Sequence, residues 1–216
     1  MSSLRYQYKT YEFDKIDIHV RTLRDKQEFS DPDKVAEELG ISSAQWPLFG
    51  VVWPSSEVLA HYMFDFDIKG KRILEIGCGI GLSSLLLNKL DADITATDYH
   101  PEVEAFLLKN IQLNDGAVIP FTRTGWADKV SELGEFDLII GSDLLYEQEH
   151  TGLLSEFIYQ HSKPECEIII IDPGRGRHAN FSKKMEKLGY SHEQFKPQNS
   201  DYLEKEFKGQ ILKYKR

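Results

Sequence analysis

Residues 72–82 read Arg-Ile-Leu-Glu-Ile-Gly-Cys-Gly-Ile-Gly-Leu: a short apolar run carrying Glu75, then glycine at alternate positions 77, 79 and 81. An apolar segment of helical period begins directly after them. The pattern reads as a strand, a tight turn and a helix N-terminus. Glycine reaches positive φ without steric cost and leaves the main chain bare, so a ligand can lie against the backbone of such a turn.

The chain from residue 71 onward repeats this rhythm. Strands are expected at 73–76, 94–97, 118–124, 136–142 and 167–171, and helices at 82–90, 101–113, 147–161 and 179–188. Val103, Phe106, Leu107 and Ile111 share one helix face, and Leu153, Leu154, Phe157 and Ile158 are expected to point inward in another. Segments 190–196 and 207–214 have no helix between them and read as an antiparallel pair at one sheet edge. The alternation predicts an α/β fold, a doubly wound, Rossmann-like and mostly parallel sheet with helices on both faces. Ligands of such sheets bind beyond the carboxyl ends of the strands, where the strand order reverses. The expected strand ends carry Glu75, Asp98, Ser142-Asp143 and Asp172, and carboxylates crowded on one edge need a polar or cationic partner.

Residues 1–45 read as an extension packed on a main domain of residues 46–216. Ile16, Ile18 and Val20 alternate as a half-buried strand, pairing with residues 11–13 as a hairpin. Asp31-Pro32 is placed to start a helix with Val35, Ala36 and Leu39 on one face and Gly40 at its end. Residues 46–54, Trp-Pro-Leu-Phe-Gly-Val-Val-Trp-Pro, lack helical period. They are either an apolar loop over the core or an aromatic wall over a ligand. Ser55-Ser56-Glu57 then opens a helix with Val58, Leu59, Tyr62 and Met63 inward.

A chain of 216 residues suits one domain with a sizeable core, and 41% apolar with 28% charged residues is ordinary for a globular protein. The formal net charge of −9 argues against a nucleic-acid partner. The basic stretches at 69–72 and 213–216 read as solvated strand ends. The first residues lack the basic-then-apolar pattern of a secretory leader, and the aliphatic run 168–171 is too short to span a bilayer. Cys78 and Cys166 are expected at opposite edges of the sheet, which argues against a disulfide and points to a reduced, cytoplasmic protein with no membrane partner. No His or Cys pair has ligand spacing, so no metal is expected. Neither a Gly-x-Ser-x-Gly elbow nor a Walker phosphate loop is present.

A dinucleotide turn uses Gly-x-Gly-x-x-Gly and seats a pyrophosphate on the helix N-terminus. Here the spacing is Gly77-x-Gly79-x-Gly81, and Glu75 stands two residues before it. A carboxylate there suits an ammonium group better than a pyrophosphate. Asp98 follows Glu75 by 23 residues, at the end of the next expected strand. Its two oxygens can accept from both hydroxyls of a ribose, or it can serve as a plain helix cap before Pro101. A ribose, an amine and no phosphate describe S-adenosylmethionine. A nicotinamide oxidoreductase and a cofactor-binding scaffold without catalysis are the competing classes, the first disfavoured by the turn spacing and Glu75.

Glu75-Ile-Gly77-Cys-Gly79-Ile-Gly81 with Thr97-Asp98 resembles the class I, seven-stranded S-adenosylmethionine-dependent methyltransferases. The resemblance implies a last strand inserted antiparallel into the sheet. Gly50-Val-Val-Trp53-Pro54-Ser-Ser-Glu-Val-Leu-Ala60 and Ile140-Gly-Ser-Asp143-Leu-Leu-Tyr146 further resemble methyltransferase family 16, which includes protein lysine methyltransferases and nicotinamide N-methyltransferase-like proteins. By that resemblance, Trp53 lines the cofactor pocket, Glu75, Gly77, Gly79 and Gly81 hold the methionine part, and Asp98 holds the ribose. Trp126 lies near the adenine, and Tyr99 and Ser142 are further cofactor-binding residues. The family's acidic residue directly before the tryptophan is replaced by Gly125, with Asp128 coming later.

Asp143 is expected to orient an acceptor amine, and Tyr146, three residues on and within one turn if the loop is helical, to complete the pocket. The competing reading makes Asp143 a helix cap and Tyr146 packing. Arg175, in Asp172-Pro-Gly-Arg175, is either part of a turn or aimed at substrate. His100 either enters the helix or stacks near the ribose. The expected acceptor is a protein lysine, the alternative a small-molecule N- or O-acceptor, and the expected state a monomer or weak dimer.

Overall fold

The computed structural model describes residues 4–25, 28–29, 31, 33–128, 132–146 and 150–216. A hairpin of β1 (Tyr6–Phe13) and β2 (Ile16–Leu23) precedes the short helix α1 (Val35–Glu38) and a 3-10 turn, Leu48–Gly50. The main sheet contains β3 (Arg72–Ile76), β4 (Asp93–Asp98), β5 (Phe121–Arg123), β6 (Phe136–Ser142), β7 (Ser162–Asp172), β8 (Ser191–Phe195) and β9 (Gln210–Lys215). Around it lie α2 (Pro54–Phe64), α3 (Leu82–Lys89), α4 (Val103–Leu113), α5 (His150–His161) and α6 (His178–Lys187). The strand order is β5-β4-β3-β6-β7-β9-β8. All neighbours are parallel except β9, which is inserted antiparallel between β7 and β8.

The central strands are apolar on both faces, as a doubly covered parallel sheet requires. Their period of two splits the core. Ile73, Leu138, Ile140, Ile169 and Ile171 join the apolar cluster on one face, while Leu74, Ile76, Ile139, Ile168 and Ile170 join the cluster on the other. The strand order reverses between β3 and β6, so the glycine turn after β3 and the Asp143 loop after β6 open at one crevice.

Several boundaries differ from the sequence expectation. The strand expected at 118–124 shrinks to Phe121–Arg123: Val118 is 80% exposed, and Pro120 contributes only its carbonyl, to Ala96 N at 2.9 Å. Strand β7 begins five residues before 167, with a register irregularity where it meets β6 between Phe136 and Leu138. The first three residues of the helix expected at 147–161 lie outside the described residues. Within α5, Leu154, Phe157 and Ile158 are buried but Leu153 turns outward.

Helix α1 has only four residues, with Ala36 buried and Val35 exposed. Its first turn is preceded by Lys34 in the left-handed region, and Asp31 instead bonds Glu37 N at 2.8 Å; Pro32 lies outside the described residues. Helix α2 starts at Pro54, not at the serines: Trp53 is its cap, and Ser55 and Ser56 are buried inside the first turn. The basic stretches are not plain solvated ends. Lys71 and Lys213 reach Glu167 at 2.8 and 3.3 Å. Burial alone would raise the Glu167 pKa, but the lysine hydrogen bonds overcome it and hold the group at about 2.

The hairpin is fastened by α4. Asn114 accepts from His19 N and donates to His19 O, at 2.8 and 2.7 Å; Asn110 does the same to Arg21 N and O, at 2.8 and 3.2 Å. Asparagines one helical turn apart match strand residues two apart, because a pitch of about 5.4 Å is close to two strand rises of about 3.3 Å. Each side-chain amide therefore stands in for a strand residue and closes the outer edge of β2. Asn114→Ala leaves both His19 groups unpaired and is expected to cost about 1–3 kcal/mol in urea unfolding. Faster hydrogen exchange at the His19 and Arg21 amides would locate the loss in the hairpin.

Candidate active site

The three glycines have φ of 60°, 53° and 75°, a region other residues enter at a cost, and each also receives a different element on its bare α carbon. A Cβ on Gly77 would lie 2.6 Å from Leu144 of the loop after β6. One on Gly79 would lie 3.2 Å from the Phe49 carbonyl, and one on Gly81 2.8 Å from Leu107 of α4. The turn is therefore bare because the protein packs against it, as well as to admit a ligand.

Two carboxylates bracket the turn. Glu75 is 2% exposed, and its Oε2 accepts from Ser84 N at 2.9 Å and from Ser84 Oγ, at the first turn of α3. Burial lifts its pKa to about 7, against the pull of the Ser84 bonds. Asp98 spreads its oxygens: Oδ2 accepts from Gly79 N and Oδ1 from His100 N, both at 2.9 Å. Burial raises this group too, with the backbone bonds opposing. Asp98 is not the cap of α4, whose N-cap is Glu102; it ties down the turn after β4 and at the same time anchors the glycine turn. Cys78, between the two, is buried and its thiol is pushed well up by desolvation, so it carries no thiolate chemistry.

The segment after residue 45 sits on the turn as a fitted loop. Phe49 stacks on His100 with centroids 4.0 Å apart and meets Phe29 and Phe106 edge-on. His100 lies three residues before α4, its Nδ1 accepting from Glu102 N at 3.2 Å, and burial takes its pKa down to about 4. Its stacking partner is Phe49. The indoles tie the segment to nearby backbone, Trp46 Nε1 donating to Ile41 O at 2.8 Å and Trp53 Nε1 to Leu48 O at 3.0 Å. Trp53 is half-buried at the head of α2.

On the other flank, the Tyr99 ring lies 3.2 Å from where a Gly125 Cβ would be, and its hydroxyl donates to Leu39 O at 2.8 Å. The acid absent at position 125 returns in space. Asp128 Oδ2 accepts from Gly125 N at 2.6 Å and from Thr124 Oγ1 at 3.0 Å. Trp126 packs against the apolar cluster that holds Leu74, Ile76 and Leu144.

Strand β6 ends at Ser142, half-buried. Asp143 follows at φ 55°, its N–H bonded to Ile171 O of β7 at 2.9 Å. The loop from 143 to 146 is not helical, so Tyr146 does not sit one helical turn from Asp143; its ring is 37% exposed. Sequence reasoning missed Leu144 here and did not foresee the partner of Arg175. Leu144 wedges against both Gly77 and Gly141. Arg175 Nη2 donates to Asp143 Oδ2 at 2.8 Å, across two neighbouring strand ends. Opposite charges after adjacent parallel strands were the available signal. Among the described residues, no three His, Cys, Asp or Glu side chains are grouped to hold a metal.

Glu75 sets a pH dependence of stability. Its folded pKa of about 7 lies above the ordinary 4.5, so the fold carries the full cost of the ionised group above pH 7 and none of it below about 4.5. A shift of that size is worth at most about 3 kcal/mol. Glu75→Gln, which still accepts the Ser84 bonds, is expected to unfold at higher urea than wild type at pH 8. The gap should close toward pH 5; equal gaps at both pH values would show that Glu75 stays ionised at no cost.

The family described as lysine methyltransferase matches residues 34–188. Protein N-lysine methyltransferase METTL21A of Danio rerio is 37% identical over 144 residues, covering 59% of this chain and 63% of that protein. Calmodulin-lysine N-methyltransferase of Arabidopsis thaliana is 29% identical over 63% of this chain and 49% of its own length. The chain thus spans about half to just under two thirds of these relatives. Among solved structures, a methyltransferase from Pyrococcus furiosus superposes with a TM-score of 0.61 at 23% identity, over 76% of this chain and 83% of that one. Magnesium protoporphyrin IX methyltransferase from Synechocystis, with bound S-adenosylmethionine, gives 0.58 at 20% identity, over 75% and 77%. At these identities the structures speak to the fold. The family match covers most of the chain, and the protein belongs to the lysine methyltransferase family.

Proposed function

We propose that this protein is an S-adenosylmethionine-dependent methyltransferase acting on a lysine side chain of a protein. The observation that carries the reading is the pair Glu75 and Asp98, one buried and one half-buried carboxylate, both with raised pKa values, on either side of a glycine turn. An ammonium group brought to Glu75 offsets the cost of burying its charge. Each Asp98 oxygen accepts one backbone N–H and keeps capacity for a ribose hydroxyl. A pyrophosphate would instead bring negative charge against both carboxylates, which argues against a nicotinamide dinucleotide.

Tyr99, Trp126 and the returning Asp128 carboxylate supply two aromatic surfaces and a hydrogen-bond acceptor for a base beyond the ribose. Ser142, at the carboxyl end of β6, and Trp53, at the head of α2, are read as further cofactor contacts. The bound cofactor supplies a methyl group that a nitrogen lone pair takes while the carbon–sulfur electron pair stays on sulfur. Alignment and exclusion of water then do most of the catalytic work. Asp143 orients the acceptor nitrogen by hydrogen bonding and Tyr146 walls the site. The lysine-methylating relatives named above support a protein acceptor. Two free, buried cysteines support a reducing, cytoplasmic setting.

Calorimetry tests the cofactor. S-adenosylhomocysteine is expected to bind and NAD not to. Affinity should rise with pH up to about 7 as Glu75 ionises, then level off. NAD binding without S-adenosylhomocysteine binding would return the protein to the oxidoreductases. Asp143→Asn is expected to keep cofactor affinity and to lose about 10²-fold or more in transfer to host-lysate proteins from methyl-labelled S-adenosylmethionine. Label found only in small molecules would replace the protein acceptor with a small one.

A further inference from the structure

Arg175 and Asp143 are 32 residues apart, and the fold brings Nη2 to 2.8 Å from Oδ2. The approach is built on both sides. Asp143 takes a left-handed φ of 55° and is held to β7 through Ile171 O, which turns it toward the neighbouring strand's loop. Arg175 stands between Gly174 and Gly176, at φ 94° and 79°. Those conformations cost a non-glycine residue energy, so the loop's path over the strand ends depends on them. The Asp143 side chain is 13% exposed and that of Arg175 46%, so the pair lies at the rim of the crevice with the carboxylate inside.

The pairing bears on a chemical difficulty. A lysine ammonium has no lone pair, and a bare carboxylate beside it would hold the proton on. A carboxylate already matched by a guanidinium remains a hydrogen-bond acceptor with little net charge. Resting on the lysine methyltransferase reading above, we propose that Arg175 is a positioning residue which, paired with Asp143, makes the acceptor site select the uncharged amine. The ammonium gives its proton to solvent water before entry. The nitrogen lone pair then forms the N–CH₃ bond as the S–CH₃ bond breaks, the electron pair stays on sulfur as a thioether, and the methylammonium product releases a proton to water.

Among the described residues, the other titratable groups near these strand ends come from the neighbouring elements. Asp172 ends β7, accepts from Gly174 N at 3.2 Å and faces His178 of α6 at 3.4 Å. Glu75 lies at the end of β3, Glu57 of α2 faces Lys9 at 3.9 Å, and Tyr146 shares the loop. Arg175 brings the permanent positive charge to Asp143.

Sinefungin, which carries an amine-bearing carbon in place of the methylsulfonium, probes this without a known acceptor. Calorimetry would compare it with S-adenosylhomocysteine from about pH 6.5 to 8.5. The ratio of the two affinities cancels the titration of Glu75, which faces the amino-acid end both ligands share. In the wild type, the preference for sinefungin is expected to rise with pH, approaching tenfold per unit. In Arg175→Gln, it should be about tenfold higher at the acid end and cease to rise, because the unmatched carboxylate then holds the ammonium. Arg175→Lys should keep the wild-type slope, and S-adenosylhomocysteine affinity should stay within about threefold in both variants.

An Arg175→Gln slope like the wild type would overturn the inference. So would a wild-type preference that falls with pH, which means the ammonium displaces the guanidinium. If the folded wild type binds neither ligand, the cofactor reading itself fails and this inference falls with it.

Discussion

The contact on which the rest of the structure depends is the packing of three separate elements onto the bare α carbons of one turn. Leu144 sits on Gly77, the Phe49 backbone on Gly79 and Leu107 on Gly81. These come from the loop after β6, the 46–53 segment and α4. A methyl group at any of the three positions would push one of them away. At Gly77 it would displace the loop that carries Asp143 and Tyr146; at Gly79 it would meet backbone, which yields least. The turn therefore holds the cofactor reading and the acceptor reading in one register. The loop of one cannot move without the other feeling it.

The electrostatics of the sheet are divided between its two ends. At the amino ends of the strands the acids are matched by lysines: Glu167 with Lys71 and Lys213, and Asp137 with Lys163 at 2.7 Å. At the carboxyl ends Glu75 and Asp98 are held by N–H and O–H donors, and burial raises both. Charge without a counter-ion in a desolvated place costs free energy, and a fold keeps it where a ligand offsets that cost. Asp143 differs from Glu75 and Asp98 in being matched by a guanidinium, that of Arg175. The difference separates a place that takes a cation, beside Glu75, from one arranged for a neutral nucleophile.

Much of this was legible along the chain because it is local. The apolar periods of β3, β6 and α4, the alternation in the hairpin and the antiparallel pairing of the final strands all survive in the structure. Asp98 was readable because strand-end position and sequence distance from Glu75 together imply its place. Other features escaped for physical reasons. Strand β5 is short because Pro120 cannot donate and Val118 finds no cover. Helix α1 does not propagate, since four residues cannot recover the cost of nucleation. Asn110 and Asn114 look like ordinary surface positions until the hairpin supplies the backbone they bind.

What the sequence determined by itself is the class of fold, the glycine turn and the two carboxylates beside it, because backbone conformation and strand period are properties of neighbouring residues. Tertiary structure alone decided what each glycine is bare for, that Asp128 returns to the place of the missing acid at 125, and that Arg175 meets Asp143. These depend on which strands lie side by side and which loops their ends deliver. That order, β3 next to β6 and β6 next to β7, is set by the packing of the whole sheet and by no single stretch of it.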